Sequence, residues 1–196
     1  MDIKKIANTS LQFVIYRLIE IIGVFLTLIG ILLLLSLLTY SPNDPNFIFP
    51  ENTEIQNVLG YQGSYISDLF FQSIGLISYL ISFTLFLSGV SIFKKKSFFL
   101  IIENIFYTIP YCLLGSLFFN YFYESAFRLY INGNGGFVGN YLNQTILNNI
   151  INSNENIFYY LLIILTILFF LLSINFKPKN FYQFLKNIFL FIFHKK

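Results

Sequence analysis

The sequence predicts an all-α, polytopic membrane protein: a four-helix transmembrane bundle with both termini cytoplasmic. Three observations lead there. Of 196 residues, 56% are hydrophobic and only 11% charged, against roughly a quarter charged in soluble globular domains. The apolar residues gather into four blocks instead of being spread over core positions. Eleven of the twelve Lys and Arg residues fall on one side of those blocks.

A hydrocarbon core of roughly 30 Å needs about 20 helical residues, and a helix is the form in which a segment in lipid satisfies its own backbone. Four segments qualify, at about 21–39, 69–93, 104–123 and 157–176. Together with two external loops, 40–68 and 124–156, they make up a single membrane domain over 21–176. Residues 1–20, with Lys4, Lys5 and Arg17, read as a cytoplasmic amphipathic N-terminus. The first span is too long for a typical signal peptide and lacks a small-residue cleavage site after it, so a retained signal anchor is expected.

That span ends in "LTYSPNDPNF". Pro42 and Pro45 remove backbone donors and push the residues before them out of the α region, while Ser41 and Asn43 or Asp44 can close local turns. The loop that follows holds Asp44, Glu51, Glu54 and Asp68 without a basic residue, whereas Lys94, Lys95 and Lys96 separate spans two and three. Lys and Arg resist translocation while acidic residues matter little, which sets the orientation; Arg128 is the basic residue left outside.

Small residues recur along single helix faces: Gly23 and Gly30 in span one, Gly75, Ser82 and Gly89 in span two, and Thr108, Cys112 and Ser116 in span three. Such seams let helices approach closely in lipid. Glu20 and Glu103 sit near cytoplasmic span ends beside Arg17 and the Lys94 to Lys96 cluster, where interface pairing or snorkelling accounts for them.

In the second loop, "NGNGGFVGNYL" (Asn132 to Leu142) predicts a tight turn, because Gly133, Gly135, Gly136 and Gly139 allow backbone angles closed to other residues. Val138, Leu142, Ile146 and Ile150 then repeat every four residues, the pattern of a short amphipathic helix on the outer membrane surface. The 177–196 segment mixes five lysines with Phe181, Phe184, Leu185, Ile188 and Phe189; it reads as a basic cytoplasmic tail or the start of a linker.

Chemistry is sparse. Cys112 and His194 are the single cysteine and histidine, so neither a disulfide nor a zinc-type cluster can form within the chain. No glycine precedes a lysine, which excludes the phosphate-cradling G-x-x-x-x-G-K-[ST] loop. No catalytic, cofactor-binding or metal-ligating residues are expected. The lysines face anionic lipid more readily than nucleic acid.

Three stretches, "LLSLLTYSPNDPNF" (Leu34 to Phe47), "NVLGYQGSYISDLFFQSIGLISYLI" (Asn57 to Ile81) and "GGFVGNYL" (Gly135 to Leu142), together resemble the N-terminal four-span membrane region of the FtsK/SpoIIIE DNA translocases. The family's S-x-x-D-P turn matches Ser41, Asp44 and Pro45, with Pro42 inside it. Its N-x-x-G-x-x-G-[AS] stretch and the Asp before span two match Asn57, Gly60, Gly63, Ser64 and Asp68. Its G-G-x-x-G matches Gly135, Gly136 and Gly139.

The resemblance implies a multi-pass anchor in the bacterial cytoplasmic membrane at the division septum, in contact with membrane lipid and other cell-division membrane proteins. It further implies a hexamer, and ATP, Mg2+ and DNA handled only by a motor domain beyond a linker. The sequence here holds no such motor, so the chain is either the anchor of a longer translocase or a free-standing anchor. The alternative is a small multi-pass transporter or channel subunit. That class needs polar groups along a path, for which the spans offer Thr27, Gln72, Thr84, Thr108 and Thr166 without a mid-span charge.

Overall fold

The structure, a computed structural model, describes residues 3–46, 54–123, 132–179 and Lys186, with side chains from Ser10 onward. Arg128 and most of the 177–196 tail lie outside the described residues. Among the described residues seven α-helices are delimited, in order: α1 (Ile3–Leu38), α2 (Gly60–Ile74), α3 (Ser78–Lys95), α4 (Phe99–Tyr123), α5 (Gly136–Asn143), α6 (Ile146–Ser153) and α7 (Glu155–Ser173). A short 3-10 turn, Gly75–Ile77, joins α2 to α3. Among the described residues there is no strand. Four helical stretches are long and apolar enough to cross a membrane, Ser10–Leu38, Gly60–Lys95, Phe99–Tyr123 and Glu155–Ser173, which is the expected all-α four-span class.

The spans associate as two pairs, α1 with α3 and α4 with α7. Lipid gives no hydrophobic drive to this pairing, so close backbone approach matters. The α1/α3 seam runs over small residues. A Cβ on Gly23 would stand 2.7 Å from the Phe93 nitrogen, one on Gly30 2.5 Å from the Phe86 nitrogen and 2.9 Å from the Ser82 carbonyl, and one on Gly89 2.6 Å from the Gly23 carbonyl. Thr27 sits between, its hydroxyl donating to the Gly23 carbonyl at 2.8 Å.

Gly75 is aligned with Ser82 and Gly89 in the sequence but does something else. Its φ of 64° and ψ of −142° end α2, and the second span is two helices meeting at a break. Residues 60–68 of the first external loop are helical, and α1 runs unbroken from Ile3 to Leu38.

α2 lies across the outer end of α1. Gly63 meets Ser36 and Asp68 meets Tyr40, while Phe71 packs with Leu33 and Leu37. Had α2 continued the line of α3 antiparallel to α1, Gly63 would stand about 12 Å further out than Phe71 at roughly 1.5 Å per residue. Both instead touch the last two turns of α1.

The expected amphipathic helix over Val138 to Ile150 is two helices. Thr145 starts α6 by accepting from the Leu147 amide, and the register shifts there. Ile146 is 76% exposed while Ile151 is buried, joining Leu117, Phe118 and Leu162 in an apolar cluster. At the opposite end, Glu20 pairs with both Arg17 and Lys96 at 2.5 Å. Lys96, with φ 54°, closes α3, and Asn175 donates to the Asn104 side chain at 2.7 Å, tying α7 to α4.

Candidate functional site

The motif residues of the two external regions come together at the outer ends of the helices. The first group starts with a turn in which the Asp44 amide donates to the Ser41 carbonyl at 3.1 Å and the Asn43 amide to the Ser41 hydroxyl at 3.4 Å. Pro42 and Pro45 keep this stretch non-helical. The Asp44 carboxylate is 2% exposed and accepts the Gln56 and Asn57 amides at 2.9 Å each. Burying a carboxylate is costly unless charge-assisted bonds replace its water, and two backbone donors do so here.

Asn57 spends its amide in two directions. Its nitrogen donates to the Ser36 carbonyl at 2.9 Å, one of the α1 carbonyls that a helix C-terminus leaves without an intrahelical partner. Its oxygen accepts the Leu59 amide at 3.1 Å, an Asx turn that leads into α2. The Ser36 hydroxyl donates to the Gly63 carbonyl at 2.6 Å and the Ser64 hydroxyl to the Pro45 carbonyl. Only a glycine fits at 63, where a Cβ would stand 2.1 Å from the Asn57 oxygen.

A polar chain leads from this group to the second. The Tyr40 hydroxyl and the Gln72 amide both donate to Asp68, at 3.2 and 3.4 Å. Asn132 in turn donates to the Gln72 carbonyl and side-chain oxygens, each at 3.2 Å. Asp68 is thereby buried, at 3% exposure, with two neutral donors.

The second group is built on the break at Gly75. The Leu76 amide donates to the Asn134 carbonyl at 2.9 Å, and the Ser116 hydroxyl to the Ile74 carbonyl at 2.9 Å. Asn134 also donates to the Tyr123 carbonyl at the end of α4. Gly136 has a φ of 65°, and a Cβ there would lie 2.5 Å from the Gly75 nitrogen; Cβ atoms on Gly135 and Gly139 would each lie 2.4 Å from the Ser116 carbonyl. The glycines are the means by which α5 rests directly on the α4 backbone.

Ser41, Asp44, Pro45, Asn57, Gly63, Asp68, Gly135, Gly136 and Gly139 thus sit in one connected cap. Gly60 is different: it has a φ of 64° but open space around it. The sequence reading missed Ser36, Tyr40 and Asn120, and it gave Ser116 to a helix seam, Gln72 to a conducting path and Asn134 only to a turn. The signal for Ser36, Tyr40 and Asn120 is a single polar side chain inside or at the rim of an apolar run, which hydrophobic periodicity passes over. Asn120 illustrates it: 1% exposed, it donates to Asn140 of α5 at 3.4 Å. Among the described residues no group of three or more His, Cys, Asp or Glu side chains assembles. Most donors and acceptors of the cap are spent on one another, the buried side-chain oxygens of Asn120 and Asn134 being exceptions among the described residues, an arrangement that holds shape.

Comparison with known proteins finds a match to the model of the 4TM region of DNA translocase FtsK/SpoIIIE over residues 16–183. Similar curated proteins are the DNA translocase FtsK of Caulobacter vibrioides, 36% identical over 69 residues (35% of this chain, 8% of the relative), and that of Azospirillum brasilense, 31% over 87 residues (43% and 14%). A third is that of Rickettsia bellii, 31% over 74 residues (38% and 10%). The matched stretches thus cover 14% or less of each relative's length. No solved structure matches the chain.

Proposed function

The chain belongs to the FtsK/SpoIIIE family of DNA translocases through its 4TM region, and from that membership we propose that it anchors and targets such a translocase to the division septum. On this reading it sits in the bacterial cytoplasmic membrane, acting in cell division and chromosome segregation. ATP hydrolysis with Mg2+, and movement along DNA, would belong to a motor domain C-terminal to the spans. Six copies of the four-span domain would hold six such motors, one each, beside the closing membrane.

The observation that best supports this reading is the outer cap. Four spans alone suffice to tether a motor, yet this chain invests two buried carboxylates and a set of close glycine contacts in shaping its external loops. A defined outer surface is what recognition of other division membrane proteins requires. Polar side chains within the spans support a conducting path less well. Thr84 is bonded to Tyr111 at 2.9 Å and to Ser173 at 3.3 Å, and Tyr111 is fully buried.

The test is the position of a fluorescent fusion of the chain in dividing cells, with membrane insertion checked by fractionation. Septal enrichment is expected for the wild type and loss of enrichment, with insertion retained, for Asn134→Ala. An inserted wild-type fusion spread evenly around the membrane would overturn the targeting role.

A further inference from the structure

Between α2 and the facing residues of α1 and α3 lies an apolar pocket of about 450 Å3. Ile29 and Leu85 form its floor, Leu33 a wall, and Leu59, Ile66 and Phe70 its roof. Ile29 is nine residues below Leu38, and Leu85 ten below Gly75, so the floor lies roughly 14 Å into the bilayer at about 1.5 Å per residue. That is about half of a hydrocarbon core of roughly 30 Å.

At that depth the surrounding medium is acyl chain, and a void would forfeit dispersion contacts on every side. The roof decides which occupant fits. A transmembrane helix, from a partner or a second copy, is about 10 Å across with its side chains and continues to the membrane surface, where α2 stands in its way. A lipid tail is thin and can bend in from the side. The polar groups agree: the Ser36 hydroxyl is already spent on Gly63, which leaves Gln62 as an exposed amide at the rim. The neighbouring loop offers no base to select an anionic headgroup, since residues 40–68 contain no Lys or Arg.

We propose that this pocket is a lipid site, holding one acyl chain of a phospholipid from the leaflet next to the 40–68 loop, with Gln62 at the level of the headgroup ester. The site does not depend on the anchoring role and would stand if that role failed. It gives α2 a reason to lie flat, since α2 and the tail together complete the packing that α1 and α3 leave open.

The chain contains no tryptophan, so one introduced indole reports without background. Phe70→Trp places it in the roof, and Phe106→Trp on the lipid-facing surface of α4, where Phe106 is 67% exposed. Both variants would be reconstituted with phosphatidylcholine carrying brominated acyl chains and then moved into excess detergent. Quenching at position 70 is expected to survive, while quenching at 106 disappears, and native mass spectrometry should find one phospholipid per chain.

Leu85→Phe, which fills the floor, and Ile66→Phe, which narrows the mouth, should each abolish the retained quenching; Leu113→Phe, away from the pocket, should not. Loss of quenching at both reporters would overturn the site. So would retention unaffected by both filling variants, or a lipid-free dimer in the mass spectrum.

Discussion

At single residues, two glycines separate backbone strain from steric conflict. Gly60 and Gly75 share a φ of 64°, but a Cβ on Gly60 meets nothing within 4 Å, whereas one on Gly75 would stand 1.9 Å from the Asn134 carbonyl oxygen. Gly60→Ala is therefore expected to cost about 1–2 kcal/mol, the ordinary penalty for an L-residue at positive φ. Gly75→Ala adds displacement of a backbone carbonyl to a similar or larger strain of about 1–3 kcal/mol. Thermal unfolding in detergent should rank Gly75→Ala clearly below Gly60→Ala, and equal losses would mean that the α5 contact is not built as described. Asp44→Asn is a second measurement at this scale. One of the two accepting oxygens becomes a donor facing a backbone N–H, so about 1.5–3 kcal/mol should go with the charge-assisted bonds, read by the same melt.

Between elements, the close approach of α1 and α3 predicts that bulk in the seam is worse than bulk anywhere on the lipid face. Gly30→Val would drive a branched side chain into the Phe86 backbone, 2.5 Å from its Cβ. Leu28→Val, at a position 53% exposed, changes only lipid contact. Overpacking of this kind costs roughly 1–3 kcal/mol, so the melting temperature should fall for Gly30→Val and hold for Leu28→Val. A similar melt for both variants would argue against direct helix contact at this seam.

The element scale is also where the sequence was read best and worst. The spans were legible because apolar blocks announce themselves, and the Gly23, Gly30, Ser82 and Gly89 positions because small residues at helical spacing stand out among Leu, Ile and Phe. α2 was not legible. Its buried face is Gly63, Ser64, Ser67, Asp68 and Phe71, a mostly polar stripe that carries no hydrophobic period, and its two glycines looked like loop residues. Gly75 lay in the right register for the seam, and its positive φ and the Asn134 carbonyl against it, far away in sequence, assign it to the break. The division of the outer helix into α5 and α6 turned on Thr145, whose capping role depends on where the preceding helix ends.

Over the whole molecule, orientation follows from charge, and it fixes which face each site presents. By the order of the spans the basic residues at 4, 5, 17, 94, 95, 96 and beyond 176 fall on one side, and Lys and Arg close to span ends set the orientation while acidic residues contribute little. On that charge bias the glycine-rich cap, α5 and α6 are expected to face away from the cytoplasm. Cys112 is the single native cysteine; with Cys112→Ala as background, one introduced thiol reads one location. Ile146→Cys, 76% exposed on α6, should react with a membrane-impermeant maleimide in intact spheroplasts. Phe98→Cys, 55% exposed next to the lysine cluster, should react only after permeabilisation. Exchanging Lys94 and Lys95 for Gln, with Lys96 kept for its pair with Glu20, removes two retention charges and should raise the fraction of chains labelled at position 98 from outside. Labelling of Phe98→Cys but not Ile146→Cys in intact cells would invert the molecule and put the cap in the cytoplasm.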